Sequence, residues 1–279
     1  MAARTYGARR RTASLFIHLV LIAGALVMVV PFVWMVLTSL KTLGDSTQVP
    51  PVIIPRKWNW SNYAEVIAAL PFLKFYWNTI VTTAAKTAGQ LLLCSMAAYA
   101  FARFRFPGRH FLFIVALSVL MVPGQVFLIP QYMIMKHLGW LNSLLALIVP
   151  GLFSAFGTFL LRQFFMTLPK ELEEAAKMDG CNPFGVFWKI MLPQARSGLI
   201  ALGIFVILWS WNDLMWPMIV INSPDKMPLS VGLASLQGEH TTNYPILMAG
   251  SLLAIWPLIV IYILFQRHFI EGIAFTGSK

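Results

Sequence analysis

The 279-residue sequence carries little charge, and acidic residues are about half as common as basic ones. Only 11% of its residues are Asp, Glu, Lys or Arg, whereas 58% are hydrophobic. Soluble domains contain about 25% charged and about 45–50% apolar residues. The composition therefore argues against a soluble enzyme and excludes an intrinsically disordered chain.

The sequence also lacks the motifs of familiar enzyme classes. It contains no H-E-x-x-H, G-x-S-x-G, P-loop or dinucleotide-binding glycine pattern. Its two cysteines, Cys94 and Cys181, are far apart and fit neither a disulfide framework nor a metal site. We expect no catalytic residues, metal ligands or cofactor in this chain, so any nucleotide hydrolysis would take place in another subunit.

The net charge of +11 is the next feature to explain. A basic balance can indicate a nucleic-acid-binding surface. Here, however, Lys and Arg lie between long apolar runs instead of being spread over a polar sequence. We interpret them as topology signals of a multi-pass membrane protein that contacts lipid, and we expect no nucleic-acid partner.

Six apolar stretches are long enough to cross a bilayer, which takes roughly 20 residues. A cleaved signal peptide is the alternative for the first stretch, which follows a basic cluster, but its apolar run continues to Leu40, far beyond a signal core of about 7–15 residues. We predict an all-α protein with one transmembrane domain over residues 1–279. The predicted spans are 14–40, 76–101, 111–135, 143–163, 198–221 and 246–266.

The connections between these stretches predict the orientation. With a cytoplasmic N-terminus, 14 Lys and Arg residues lie inside and six lie outside. Inside connections of membrane proteins are enriched in these residues, and the reverse topology would invert the ratio. We predict cytoplasmic N- and C-termini in a bacterial inner membrane.

The inside connection 164–197 differs from the others. Pro169 precedes three glutamates within four residues, which is typical of a helix start because both suit its positive N-terminal end. Gly180 predicts a stop with a left-handed backbone, and a second apolar stretch follows it. The connection is predicted to form two short helices on the cytoplasmic face.

This connection carries a long, specific motif. Glu174-Ala175-Ala176 is followed, after three residues, by Gly180, and then, after nine more, by Ile190-Met191-Leu192-Pro193. Together with the Ala98–Phe104 and Trp209–Pro217 segments, this pattern resembles the EAA signature and surroundings of ABC importer permeases, specifically the smaller permease subunit of maltose-type carbohydrate systems. The resemblance covers Pro31 to Gly272. Many relatives have proline where Ser197 stands, which leaves the entry into the fifth span open.

The resemblance implies the ABC importer permease fold, a cytoplasmic coupling helix and a set of partners. These partners are a second permease, two ATPase subunits that bind ATP and Mg²⁺, and an extracytoplasmic solute-binding protein. It also implies transport by alternating access. The residues assigned to ATPase coupling are Glu174, Ala175, Ala176, Asp179, Gly180, Ile190, Leu192 and Pro193.

The residues of the motif suit such a contact. Ala175 and Ala176 leave a smooth helix surface that can sit in a groove, and Glu174 offers a carboxylate to a basic groove edge. The alternative is an amphipathic helix that rests on lipid. Three glutamates disfavour it, because the inner leaflet is negatively charged.

A second set of polar residues lies within the predicted spans. Ionisable groups deep within a membrane face the interior of the helix bundle and pair with one another. At about 1.5 Å per residue, Lys86 lies on the order of 15 Å and Asp213 on the order of 12 Å below the outer surface, so the two can meet. In a continuous fifth helix, Trp209, Asn212, Asp213 and Trp216 share one face. The second span is predicted to carry a similar polar stripe, formed by Thr79, Thr82, Thr83, Lys86 and Gln90. The candidate substrate-pathway residues are Lys86, Gln90, Gln125, Trp209, Asn212, Asp213 and Trp216.

Two functions remain open for this polar set. It can line a chamber for a hydroxyl-rich solute, or it can be a clamp that holds the bundle together. For the whole chain, the rival to an ATP-driven importer is a secondary transporter or channel without an ATPase. The sequence does not identify the solute. The lack of basic chamber residues beyond Lys86 slightly favours a neutral sugar over a glycerol phosphate.

Overall fold

The computed structural model describes the backbone of residues 2–238 and 242–277, and the side chains of residues 14, 16–238 and 242–266. Some basic residues used in the charge count lie outside the described side chains: Arg4, Arg9, Arg10, Arg11, Arg267 and Lys279. The described part of the chain consists of helices joined by turns and irregular segments, and it contains no strand. Its helices are α1 (Ala2–Ser39), α2 (Leu43–Thr47), α3 (Ser61–Ala69), α4 (Phe72–Arg103), α5 (Arg109–Ser118), α6 (Leu128–His137), α7 (Leu144–Ile148), α8 (Ala155–Thr167), α9 (Glu171–Met178), α10 (Pro183–Val186), α11 (Leu192–Gln194), α12 (Arg196–Trp211), α13 (Met215–Val220), α14 (Leu229–Ala234) and α15 (Tyr244–Gly277).

Long apolar helices account for the predicted spans. By length and composition, three described segments are each long and apolar enough to cross a membrane: Phe16–Ser39, Leu144–Thr167 and Tyr244–Gln266. Two bent pairs of helices add up to two more. The 32-residue α4 is also long enough to cross a bilayer, at about 1.5 Å per residue, and it covers the predicted second span.

Two predicted spans differ from straight helices. The third span bends by 99° between its segments Arg109–Met121 and Gly124–His137, at the Pro123 break. The prediction of one continuous fifth helix over 198–221 was wrong, because α12 ends at Trp211 and α13 begins only at Met215. On its other side, α12 meets the segment Pro183–Gln194 at 76°.

The chain divides into two compact units, the first of which contains Met1–Leu70 and Ser235–Ile255. Within this first unit, α3 closes the end of α1. The Asn62 amide donates to the backbone oxygens of Ser39, at 2.7 Å, and Lys41, at 2.9 Å, so these carbonyls are satisfied where the helix stops. The Lys41 ammonium lies 4.0 Å from the centre of the Trp34 ring. Burial lowers the pKa of Lys41, and nearby Asp45 partly offsets that effect.

The second unit contains Pro71–Ala234 and Trp256–Lys279, and α4 is its central helix. Helices α8 and α12 pack along α4. The side chains of α4 that point into the unit include a polar row: Asn78, Thr79, Thr82, Thr83, Lys86 and Gln90. These residues recur at three- and four-residue spacing, so they share one helix face. The predicted polar stripe of the second span is therefore buried inside the bundle.

Candidate functional site

The EAA motif lies on α9, an eight-residue helix with three acidic residues in its first turn and Lys177 in its last. Both placements favour the helix dipole. After Asp179, Gly180 adopts φ +77, the left-handed backbone predicted from the sequence. The Gly180 amide donates to the Lys177 oxygen and the Cys181 amide to the Ala176 oxygen, each at 3.0 Å. These two bonds form a Schellman motif, which fixes the direction of the chain after α9.

The second helical stretch of the loop begins at Asn182, whose side chain accepts a hydrogen bond from the Gly185 amide at 2.7 Å. Pro183 occupies the first position, where a missing amide hydrogen costs nothing. A π-helical turn, Phe187–Met191, then leads into α11. The wider turn buries Phe187 and Met191 in the core of the second unit. The predicted pair of short helices is present, with this irregular turn in the second.

An aromatic core joins the loop to the membrane helices. The Tyr99 ring of α4 lies 5.6 Å from the Phe165 ring of α8 and 5.3 Å from the Phe187 ring of the loop, measured between centroids. Ala176 of α9 packs into the same core and is only 3% exposed. The prediction that Ala176 forms part of an open docking surface was therefore wrong, since its methyl group contacts the chain's own core.

Arg103, at the end of α4, connects three elements. Its Nη2 donates to the Phe165 oxygen at 2.7 Å and to the Leu168 oxygen, so it caps the end of α8. Its Nε lies 3.0 Å from Glu173 Oε1 on α9. This last contact is ionic and lacks good hydrogen-bond geometry. Both side chains are nearly buried, with exposed fractions of 6% and 11%.

The remaining residues for which the sequence predicts ATPase coupling occupy the outer surface of the loop or its edge. The exposed residues are Glu174, Ala175, Asp179, Gly180 and Pro193, and the half-buried ones are Ile190 and Leu192. The exposed residues leave a surface open to a partner, whereas Ala176 and Glu173 face inwards. The loop thus has an outward face that carries Glu174 and an inward face fixed to α4 and α8.

A polar network crosses the middle of the second unit. Lys86 Nζ lies 3.4 Å from Asp213 Oδ2, so the two ionisable groups within the predicted spans do meet. Gly151, at the break before α8, lies against the Lys86 side chain, and a Cβ there would come within 2.9 Å of it. The Gln90 amide donates to the Gly151 oxygen at 2.8 Å and accepts from Ser154 Oγ at 2.9 Å. The network therefore ties α4 to the broken fourth span.

The gap between α12 and α13 supplies Asp213 to this network. Its backbone oxygen accepts a hydrogen bond from Ser230 Oγ at 2.6 Å, so the non-helical segment is held by α14. On α12, Ser210 accepts a hydrogen bond from Thr83 at 3.1 Å. Broken helices are tolerated at membrane depth where protein or a cavity satisfies the freed backbone groups.

The other predicted pathway residues do not share one surface, because the fifth helix is interrupted. Trp209 is 53% exposed and packs on Phe156. Asn212 is exposed and donates to the Leu208 oxygen. Trp216 is buried, and its Nε1 donates to the Ala146 oxygen at 2.9 Å. Their placement on one helix face was wrong.

Gln125 lies on an exposed 3₁₀ turn, Gly124–Phe127, apart from these contacts. Sequence reasoning missed several residues that the structure brings into the two sites: Arg103, Ser154, Glu173 and Ser230. For these residues, the only signal in the sequence was the position of Glu173 between two other glutamates, and that position does not identify Arg103 as its partner. In the part of the chain that the structure describes, no three His, Cys, Asp or Glu side chains form a metal-binding group.

Comparison with known proteins places these features in a family. Residues 90–274 match the model of the binding-protein-dependent transport system inner membrane component. The chain is 41% identical over 189 residues to the arabinooligosaccharides transport system permease protein AraQ of Halalkalibacterium halodurans, with 68% of each chain covered. It is 32% identical to the sn-glycerol-3-phosphate transport system permease protein UgpE of Brucella abortus, over 96% of this chain and 98% of that one.

A solved structure has the same fold. A chain of a bacterial ABC transporter involved in the import of the acidic polysaccharide alginate superposes with a TM-score of 0.82 at 24% identity, covering 93% of this chain and 97% of that one. The family model spans well over half of the sequence, and the second relative spans nearly all of it. This chain therefore belongs to the inner membrane components of binding-protein-dependent transport systems, the permease subunits of ABC importers.

Proposed function

We propose that residues 1–279 act as one permease domain that imports a carbohydrate by alternating access, driven by ATP hydrolysis in partner subunits. The proposed partners are a second permease, two ATPase subunits that hold ATP and Mg²⁺, and an external solute-binding protein. The observation that carries this proposal is α9, whose outward face is free while its inward face is fixed to α4 and α8 by Arg103–Glu173. Such a helix can transmit a push from an ATPase into the membrane bundle.

The proposed orientation has both termini in the cytoplasm. It puts α9 and the Arg103 end of α4 on the ATPase side, and the loop that carries Asp225 outside. The lysine and arginine distribution supports this orientation. A carrier or channel without an ATPase is not favoured, because its mechanism does not require an exposed acidic helix that ends in a fixed reverse turn and can bind a cytoplasmic partner.

The solute class follows from the polar network. The relatives include permeases for arabino-oligosaccharides and for sn-glycerol 3-phosphate, so both neutral and anionic solutes are candidates. In this chain, Asp213 neutralises Lys86 at 3.4 Å, which leaves the network without an unpaired cation for a phosphate group. This pairing supports a neutral, hydroxyl-rich solute. The network acts as a clamp on the broken spans in any case.

The test is reconstitution of the permease with its ATPase and binding-protein partners in liposomes. We expect sugar-loaded binding protein to stimulate ATP hydrolysis and sugar uptake together. An excess of unlabelled oligosaccharide should compete for uptake, and sn-glycerol 3-phosphate should not. Uptake driven by an ion gradient without ATP would reject the importer mechanism in favour of a secondary transporter.

A further inference from the structure

A basic cavity lies beside the coupling helix. It has a volume of about 370 Å³ and lies among the end of α4, the start of α5, the end of α8 and α9. Pockets for small molecules have volumes of roughly 300–1,000 Å³. Five of its lining residues are cationic and two are acidic: Arg103, Arg105, Arg109, Lys170, Lys177, Glu173 and Glu174. The cavity therefore has an excess of positive charge.

Most of this positive charge is not neutralised by the chain. Arg103 is paired with Glu173. Arg105, Arg109, Lys170 and Lys177 form no ion pair with any other described residue. Arg109 donates one hydrogen bond, to the Phe104 oxygen at 3.0 Å, which holds its guanidinium near the corner between α4 and α5. Four cations around one cavity, with Glu174 as the remaining acid, create a site for an anion.

The cavity adjoins an exposed apolar corner. The chain turns at Gly108, which has φ +76, and presents the side chains of Phe111, 68% exposed, and Ile114, 51% exposed, beside Arg105 and Arg109. Basic residues next to exposed phenylalanine and aliphatic side chains are typical of helical segments that lie at the bilayer interface. A soluble anion would leave these apolar side chains uncovered, whereas a lipid contacts the basic surface with its headgroup and the apolar surface with its acyl chains.

We propose that this cavity binds the phosphodiester headgroup of an anionic phospholipid, with the acyl chains alongside Phe111 and Ile114. The proposal rests on the orientation proposed above, which places the cavity at the anionic inner leaflet. Basic pockets between membrane helices on that side bind anionic headgroups. Because the cavity is lined by both the α4–α5 corner and α9, a bound headgroup would also support the coupling helix from its membrane side.

The test uses the purified complex of permease and partners in nanodiscs of phosphatidylcholine alone or of an equal mixture with phosphatidylglycerol. Native mass spectrometry then counts the lipids retained after release. We expect the Arg105→Gln/Arg109→Gln pair to weaken phosphatidylglycerol retention by roughly 30-fold, from the worth of two interfacial cations. The matched control, Arg56→Gln/Lys57→Gln, removes two exposed charges elsewhere and should leave retention unchanged.

Three further comparisons distinguish a lipid site from a folding defect, a phosphate site and a protein contact. Arg105→Lys/Arg109→Lys keeps both charges and should retain the lipid, which guards against a folding defect. Equal losses in the cavity variant and the control would overturn the proposal, as would displacement of the lipid by inorganic phosphate at the same affinity. The proposal would also be overturned if the Arg105→Gln/Arg109→Gln variant, but not the wild type, lost the ATPase subunit on purification in pure phosphatidylcholine. The cavity would then be a protein contact.

Binding-protein-stimulated hydrolysis is measured in the same nanodiscs. If hydrolysis is absent in both lipids while phosphatidylglycerol is retained, the proposed function fails and the lipid site stands. If hydrolysis is stimulated but the variant and wild type retain the lipid equally, the lipid site fails and the proposed function stands.

Discussion

Arg103 and Glu173 form a nearly buried ion pair, with Nε 3.0 Å from Oε1, that joins the end of α4 to the first turn of α9. Arg103 also bonds two carbonyls at the end of α8, so one guanidinium holds three helices. Tyr99, one turn before Arg103, packs on Phe165 and Phe187. Helix α9 is therefore attached to the bundle by a polar link and, one turn away, by packed aromatic rings.

This arrangement predicts a strong effect of breaking the pair. Arg103→Met should destabilise the protein by about 3–5 kcal/mol, because it leaves the Glu173 carboxylate buried without its partner. Thermal unfolding of the purified complex measures the change. The double variant Arg103→Met/Glu173→Met should be less damaged than Arg103→Met, although the free carbonyls of Phe165 and Leu168 keep it below wild type. A double variant with the sum of the two single losses would contradict the pairing.

The left-handed backbone at Gly180 leads to a second prediction. A β-branched residue at φ +77 is strained, so Gly180→Val should cost about 1–2 kcal/mol and misdirect the chain after α9. We expect reduced ATPase stimulation by loaded binding protein with membrane insertion intact. Gly180→Asn should be milder, because asparagine tolerates the left-handed region. Gly44→Ala, where the added methyl group meets open space, is the control and should be silent. Normal stimulation in Gly180→Val would exclude a mechanical role for the turn.

The sequence predicted the features that local signals encode. Pro169 and the acidic first turn predicted α9, the glycine predicted its left-handed end, and the spacing of Thr79, Lys86 and Gln90 predicted the buried stripe of α4. Each of these depends on residues a few positions apart. A single sequence carries such information directly.

The features that were missed depend on residues far apart in the chain. The fifth helix stops at Trp211 although its apolar run continues, and the segment after it is held by Lys86 and Ser230, which come from other helices. Likewise, three glutamates look equivalent in the sequence, and only the position of Arg103 makes Glu173 the buried one. Tertiary contacts decide such cases, and no local pattern contains them.

The Lys86–Asp213 pair gives a third prediction. Removing either charge alone, as Lys86→Met or Asp213→Leu, should cost about 3–5 kcal/mol, whereas removing both can be nearly neutral. Assembly with the second permease and sugar uptake are the measurements. If the polar network is only a clamp, the double variant should transport normally. If it also contacts the solute, the double variant should assemble normally and lose uptake. Additive losses in assembly would contradict the pairing.

The orientation is tested by labelling. In a chain with Cys94→Ala and Cys181→Ser, a cysteine at Ser61 should react with an impermeant thiol reagent added outside intact cells. A cysteine at Lys170 should react only after the membrane is opened. Both positions are exposed, so a difference between them reports sidedness and not burial. The reverse pattern would reject the cytoplasmic placement of α9.

Glu174 gives the sharpest prediction, because it adjoins Glu173 yet differs from it in exposure. The Glu174 side chain is exposed and forms no ion pair with a described residue, so Glu174→Lys should change the free energy of unfolding by no more than about 0.5 kcal/mol. The same change at Glu173 should destabilise the protein strongly, because it sets a second cation against the Arg103 guanidinium.

Although Glu174→Lys should leave stability almost unchanged, it should strongly weaken binding of the ATPase subunit. Glu174→Lys presents a positive charge to the basic groove edge expected on the ATPase, so copurification of that subunit and stimulated hydrolysis should be lost while stability and the second permease are retained. Glu65→Lys, an exposed charge reversal on the proposed outer side, is the control and should keep both. Wild-type copurification in Glu174→Lys would mean that the outward face of α9 does not bind the ATPase. The coupling role would then have to lie with the second helical stretch of the loop, at Ile190 and Leu192.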